Sequence, residues 1–176
     1  MRIISGSHRG RVLRPPAGLP LRPTTDMAKE SLFNILNNYI DFESIKVLDL
    51  FAGTGNISLE FASRGALSVL SVEQNQKCSD YIQKTATELH FNAMSVVRGD
   101  VFHFLQKTAG LYDVIFADPP YDMQERERIP ELIFEKKFLA PEGWFIMEHD
   151  SFINFKNHPR FSEERKYGKV HFSFFR

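Results

Sequence analysis

The sequence has little with which to staple itself together or to enter a membrane. One cysteine, Cys78, excludes an internal disulfide, and no group of cysteines and histidines shows metal-ligand spacing, so no metal is expected. No apolar stretch approaches the roughly 18 residues that a membrane span requires. The opening MRIISGSHRG lacks the apolar centre of a secretory signal. Repeats and low-complexity tracts are absent, and so is net charge, since 22 basic side chains balance 22 acidic ones. Together these absences point to a reduced, cytoplasmic protein without a membrane partner, expected to be a monomer. With 176 residues, 43% of them hydrophobic, the chain forms a single domain able to bury about 70% of its unfolded surface without staples.

The zero charge hides an asymmetry. Residues 1–25 hold Arg2, Arg9, Arg11, Arg14 and Arg22 and no acid, so the remainder is correspondingly acidic. A guanidinium presents a planar fork suited to phosphate. On charge alone the arm reads equally well as a footprint for nucleic acid or as a solvated basic edge. Within it, RIISGSHRGRVLRPP sets a Gly/Ser turn between two β-prone segments, predicting a small β-hairpin over residues 2–14. Prolines then interrupt regular structure until Thr24, Thr25 and Asp26, which are good helix-capping residues. Leu32, Phe33, Leu36 and Ile40 follow at helical spacing, predicting a helix from about 26 to 39.

From Lys46 the pattern alternates: VLDLF, NISLEFASRG, LSVLSVE, NQKCSDYIQKTATELH, AMSVVRGD, VFHFLQKT, YDVIFAD, RERIPELIFEKKFL and GWFIMEH read in turn as strand and helix. Apolar strands separated by helices argue for an α/β fold, a mostly parallel sheet with helices on both faces. The tail RFSEERKYGKVHFSFF reads as an antiparallel hairpin around Gly168 that closes one edge.

In such a sheet, ligands sit beyond the carboxyl ends of the strands. After the first strand comes Asp49-Leu50-Phe51-Ala52-Gly53-Thr54-Gly55, whose glycines allow close backbone approach to a ligand. Ser58 stands where a dinucleotide fingerprint wants Gly or Ala, which disfavours a nicotinamide cofactor. Glu73, twenty residues after Gly53, ends the second strand at the spacing at which an acid accepts from ribose hydroxyls. Asp100, after the third strand, could accept from an exocyclic amine such as that of adenine, or could simply cap a helix. Three acids ending three successive strands point to a nucleoside cofactor.

The fourth strand runs into Asp118-Pro119-Pro120-Tyr121. Two prolines remove N–H donors and leave carbonyl acceptors beside a carboxylate and an aromatic ring, a surface for gripping an NH2 group. An exocyclic base amine is a poor nucleophile, because its lone pair is delocalised into the ring. Held by the Asp118 carboxylate and the Pro119 carbonyl while Tyr121 stacks on the base, it can be aimed at an electrophile. A nucleoside site without a phosphate fingerprint suggests the sulfonium methyl of S-adenosylmethionine as that electrophile.

LDLFAGTGNISLE, VEQN, GDV and DPPY, in this order, resemble the class I S-adenosylmethionine-dependent methyltransferases, of Rossmann-like fold, that act on exocyclic amines. RIISGSHRGRVLRPP with LRPTTDMAKESLFN is similar to the start of the bacterial RsmD-like family, which methylates N2 of a guanine in 16S ribosomal RNA. The resemblance implies a catalytic core over 26–176 behind the arm at 1–25. It implies cofactor contacts at Asp49, Phe51, Ala52, Gly53, Gly55, Glu73, Gln74, Asp100, Val101 and Thr25. Asp118, Pro119 and Tyr121 would act on the guanine. Arg2, Arg9, Arg11, Arg14, Arg22 and Pro120 would meet RNA, with 16S rRNA or the assembling small subunit as partner. Where the family pattern reads Asp-Arg-Val-Arg-Glu, this chain has Asp26-Met27-Ala28-Lys29-Glu30. Two readings compete: an adenine-N6 DNA methyltransferase, and a nucleotide-binding Rossmann domain without methyl transfer.

Overall fold

The computed structural model describes residues 1–19 and 25–176, so Arg22 and Thr24 lie outside the described residues. Helix α1 (Asp26–Leu36) is followed by β1 (Lys46–Leu50), α2 (Asn56–Ser63), β2 (Ser68–Glu73), α3 (Gln76–Glu88) and β3 (Met94–Arg98). Then come α4 (Val101–Lys107), β4 (Tyr112–Ala117), α5 (Ile129–Glu135), β5 (Leu139–His149), β6 (Phe161–Tyr167) and β7 (Val170–Phe175). The strands form one sheet in the order β3-β2-β1-β4-β5-β7-β6. The first five run parallel, and β7 pairs antiparallel with both β5 and β6. This is the Rossmann-like arrangement that the resemblance implies, with the expected hairpin closing one edge.

The central strands are apolar throughout because both of their faces are covered. Val47, Val114, Phe116, Trp144 and Ile146 point into one core with α1, α2 and α3. Leu48, Leu50, Ile115, Phe145 and Met147 point into a second with α4 and α5. The odd-even split along each strand is the period-two alternation of a pleated sheet. Among the described residues no helix is long and apolar enough to cross a membrane.

Three expectations need adjustment. The arm forms the expected hairpin only as a short one: Arg2 and Val12 make one antiparallel bridge, flanked by Ile3 N–H to Arg11 O at 3.0 Å and Leu13 N–H to Met1 O at 2.9 Å. Ile3 and Leu13 are drawn into the core, and the arm's backbone bonds go partly to α2, with Ile4 and Ser5 N–H donating to the Glu60 carboxylate at 2.7 and 3.0 Å. Helix α1 stops at Leu36 rather than 39, tightening through Asn38 N–H to Ile35 O at 3.0 Å and Tyr39 N–H to Leu36 O at 2.9 Å. The segment beginning at Arg126 divides into a 3-10 turn over Gln124–Arg128 and the α-helix α5, whose second residue is Pro130. Proline fits there because a first-turn N–H has no partner within the helix.

Candidate active site

The loop from β1 to α2 is held from several sides. Ala52 N–H donates to Val72 O at 3.0 Å, and Gly55 N–H to Ala52 O at 2.7 Å. Phe51 adopts φ +61, a left-handed backbone that a side-chain-bearing residue takes only when its surroundings demand it. Gly55 is required twice over: its φ is +75, and a Cβ there would sit 2.9 Å from Ile82 Cγ1. Asp49 accepts from Ser58 N–H at 3.0 Å and from the Ser58 hydroxyl, which also lies 2.7 Å from Ser71 Oγ. Ser58 therefore takes up the acid of β1 and ties α2 to β2, a use that a fingerprint of small residues does not disclose. Glu73 accepts from Gly53 N–H and from Asn75 N–H, each at 2.7 Å, and so fixes the loops that end β1 and β2 relative to each other.

Above these loops opens a cavity of about 530 Å³. Asp49, Phe51, Ala52, Gly53, Glu73, Gln74 and Val101 line it, and so do Asp118, Pro119, Pro120 and Tyr121. The two ends inferred separately along the chain thus share one space. Asp118 is carried there by β4, whose end is tied to that of β1 through Asp118 N–H and Leu50 O at 3.4 Å. Three expected cofactor residues do not line the cavity. Asp100 is exposed and caps α4, accepting from His103 N–H at 2.8 Å. Thr25 caps α1, accepting from Ala28 N–H at 3.2 Å. Gly55 lies behind the loop against Ile82.

Residues missed along the chain complete the lining, notably Asn56, Asn75, Cys78 and Glu148. The available signal for Glu148 was an acid inside the apolar run GWFIMEH, which strand formation alone does not explain. It matters because burial, then Glu148 and Asp49, push the Asp118 carboxyl well above its usual range. Burial likewise raises Asp49, with Glu73 adding to it and the Ser58 bonds opposing it, to about 7. Among the described residues no lysine or arginine pairs with Asp49 or Asp118. Crowded carboxylates of this kind favour a cation, because its charge restores their ionisation. Beside them, the Arg126 guanidinium lies 5.7 Å from the Tyr121 ring centroid, within cation–π range.

None of the described arm arginines, Arg2, Arg9, Arg11 and Arg14, lines this cavity. Arg2 approaches Asp26 at 3.7 Å, while Arg11 and Arg14 border a second cavity of about 380 Å³ with Tyr81 and Lys84 of α3. Lys29, which replaces a family arginine, is buried and unavailable to RNA: its Nζ donates to Arg2 O at 2.6 Å and Asn56 Oδ1 at 2.9 Å and lies 3.4 Å from Glu60. Met27 is 64% exposed on the same helix. Far along the chain, His149, Glu164 and His171 bring ligand-type atoms within 4.8 Å of one another. They are engaged locally, His171 with Glu164 and His149 with Ser173, each at 2.8 Å.

A family model described as "Conserved hypothetical protein 95" matches residues 1–176. Ribosomal RNA small subunit methyltransferase D of Escherichia coli K12 is 33% identical over 150 residues, covering 85% of this chain and 75% of its own length. The protein of the same name from Buchnera aphidicola subsp. Baizongia pistaciae is 29% identical over 182 residues, covering 99% and 91%. A solved hypothetical protein of Thermus thermophilus superposes with a TM-score of 0.86 at 25% identity, over 99% of this chain and 98% of that one.

Proposed function

Because the chain belongs to the family described as Conserved hypothetical protein 95, the RsmD-like family, we propose that it methylates the exocyclic N2 amine of a guanine in bacterial 16S rRNA from S-adenosylmethionine. One observation carries the reading: the Asp118–Tyr121 turn and the Asp49–Gly53 loop with Glu73 line a single cavity. The carboxylates there fit a cationic sulfonium ligand, and the fixed Glu73 carboxylate keeps lone pairs for ribose hydroxyls beyond the two backbone N–H groups it holds. When bound, S-adenosylmethionine supplies an electrophilic methyl group.

The chain's own residues supply alignment. Asp118 and the Pro119 carbonyl hold the two hydrogens of the amine, directing its lone pair. Tyr121 offers its ring to the base. A nitrogen that gains a methyl must lose a proton, and Asp118, its pKa raised, is a better proton acceptor than an ordinary carboxylate. The arm arginines neutralise rRNA phosphates, which positions the substrate without specifying its sequence. The target must be unstacked to reach Asp118, so a loop nucleotide of 16S rRNA or of the assembling subunit is the substrate. The protein acts as a cytoplasmic monomer.

The test is incubation of purified protein and radiolabelled S-adenosylmethionine with unmodified 16S rRNA, with unmodified small subunits and with duplex DNA. Label is expected as N2-methylguanine in rRNA or in the particle. Label found as N6-methyladenine in DNA would replace the reading by its nearest competitor, and cofactor binding without transfer to any polymer would leave the nucleotide-binding alternative.

A further inference from the structure

The loop after β5 holds an aromatic ring out in water. Phe152 is 89% exposed, yet its neighbours Ile153 and Phe155 are buried, and Phe155 packs edge-on to His149 at 5.3 Å and to Phe175 at 5.4 Å. The backbone N–H of Phe152 donates to Asp150 Oδ1 at 3.0 Å. The ring is therefore exposed on a pinned backbone. One exposed apolar side chain is ordinary on a protein surface. This one is distinguished by the other bonds of Asp150. The same carboxylate receives both terminal nitrogens of Arg126, at 3.0 and 3.4 Å, and Arg126 is the cation beside the Tyr121 ring. Although burial raises the Asp150 carboxyl, the bonds from Arg126 and the Phe152 N–H prevail and hold it below its usual range, so the link stays charged.

Both rings stand at the carboxyl edge of the sheet. Tyr121 follows β4, and Asp150 directly follows β5, its parallel neighbour. Glu148 lines the reactive cavity, and only three residues separate it from Phe152, four steps of chain that span at most about 14 Å. Residues 151–160, SFINFKNHPR, add Lys156 and Arg160 and no acid, which suits a polyanion.

We propose that Asp150 organises a two-base clamp, in which Tyr121 takes the target base and Phe152 stacks on the unstacked base next to it in the same RNA strand. The clamp rests on the RNA reading above. Aromatic stacking tolerates any base, so Phe152 contributes affinity and strand register rather than sequence choice. Asp150 and Arg126 are positioning residues, because they act through the two rings.

The experiment measures binding of unmodified 16S rRNA across a salt series, together with the kcat and KM of methyl transfer. Phe152→Ala is expected to weaken binding by roughly 5- to 100-fold, to raise the KM for rRNA and to leave S-adenosylmethionine affinity as it was. The slope of log affinity against log salt should not move, since a stacked ring releases no counterions. Phe152→Trp should restore binding, and Asp150→Asn should lower kcat as well as raise KM, because it loosens Tyr121 too. Unchanged affinity in Phe152→Ala, or a tryptophan no better than alanine, overturns the clamp while the rRNA reading stands. Absence of transfer by the unaltered protein to 16S rRNA and to the small subunit alike overturns that reading and the clamp with it.

Discussion

Glu60 and Asp49 are both taken out of water, at 0% and 1% exposure, and the fold treats them in opposite ways. Around Glu60 it gathers Arg64 at 2.9 Å, Lys29 at 3.4 Å and two backbone N–H groups of the arm. Around Asp49 it places Ser58, and nearby the further acids Glu73 and Asp118. A buried carboxylate supplied with cations is finished as a structure. One left among other carboxylates is held at a cost that a bound proton or a visiting positive charge offsets. The contrast separates scaffold acids from site acids without reference to any relative.

The comparison is tested most severely at Asp118. Asp118→Asn should reduce methyl transfer by about a hundred- to a thousandfold, with S-adenosylmethionine affinity nearly intact and thermal stability equal or higher, because a crowded charge has gone. A loss of cofactor affinity as large as the loss of rate would contradict its assignment to the base amine. The reverse pattern is expected at the scaffold acid. Glu60→Gln strands Lys29 and should cost about 3–5 kcal/mol in denaturant unfolding, and a change under about 1 kcal/mol, the size expected of an exposed pair, would erase the distinction.

Asp49 sharpens the comparison through pH. Its folded pKa of about 7 lies above the ordinary 3.8, so between those values the folded state binds more protons than the unfolded one. Its contribution to stability therefore falls as pH rises from about 4 to about 7. The stability of Asp49→Asn relative to the native protein should grow across that window by up to a few kcal/mol, and a pH-independent difference would show that the acid is not perturbed. The smallest effect is expected at the arm's exposed surface. Charge reversal of Arg9 and Arg11 should leave stability and cofactor binding alone and lower the salt dependence of RNA binding by about 0.7 in log–log slope per lost contact.

The sheet was legible along the chain because its signal is repetitive: apolar strands such as YDVIFAD alternate with helices, and both core faces demand that pattern. The cavity was legible wherever a residue ends a strand, as Glu73 does, or directly follows one, as Asp118 does. Legibility failed where the deciding interaction is distant in sequence. Nothing around Glu60 announces that Ile4 and Ser5 will donate to it from 56 and 55 residues away, so the arm read as a free-standing hairpin and not as a short one moulded onto α2. The burial of Lys29 against Glu60 and Asn56 was hidden for the same reason. Asp100 and Thr25 show the opposite case, since each has a local use as a helix cap that the sequence alone does not separate from a ligand contact.

The seating of the arm has a mechanical consequence. To lift away, it would have to withdraw two backbone donors from the Glu60 carboxylate and expose Ile3 and Leu13, which are buried in the core, so its seat is part of the fold. If the arm meets RNA as proposed, its arginines are presented from a backbone already seated on α2, and the work of deformation falls on the polynucleotide.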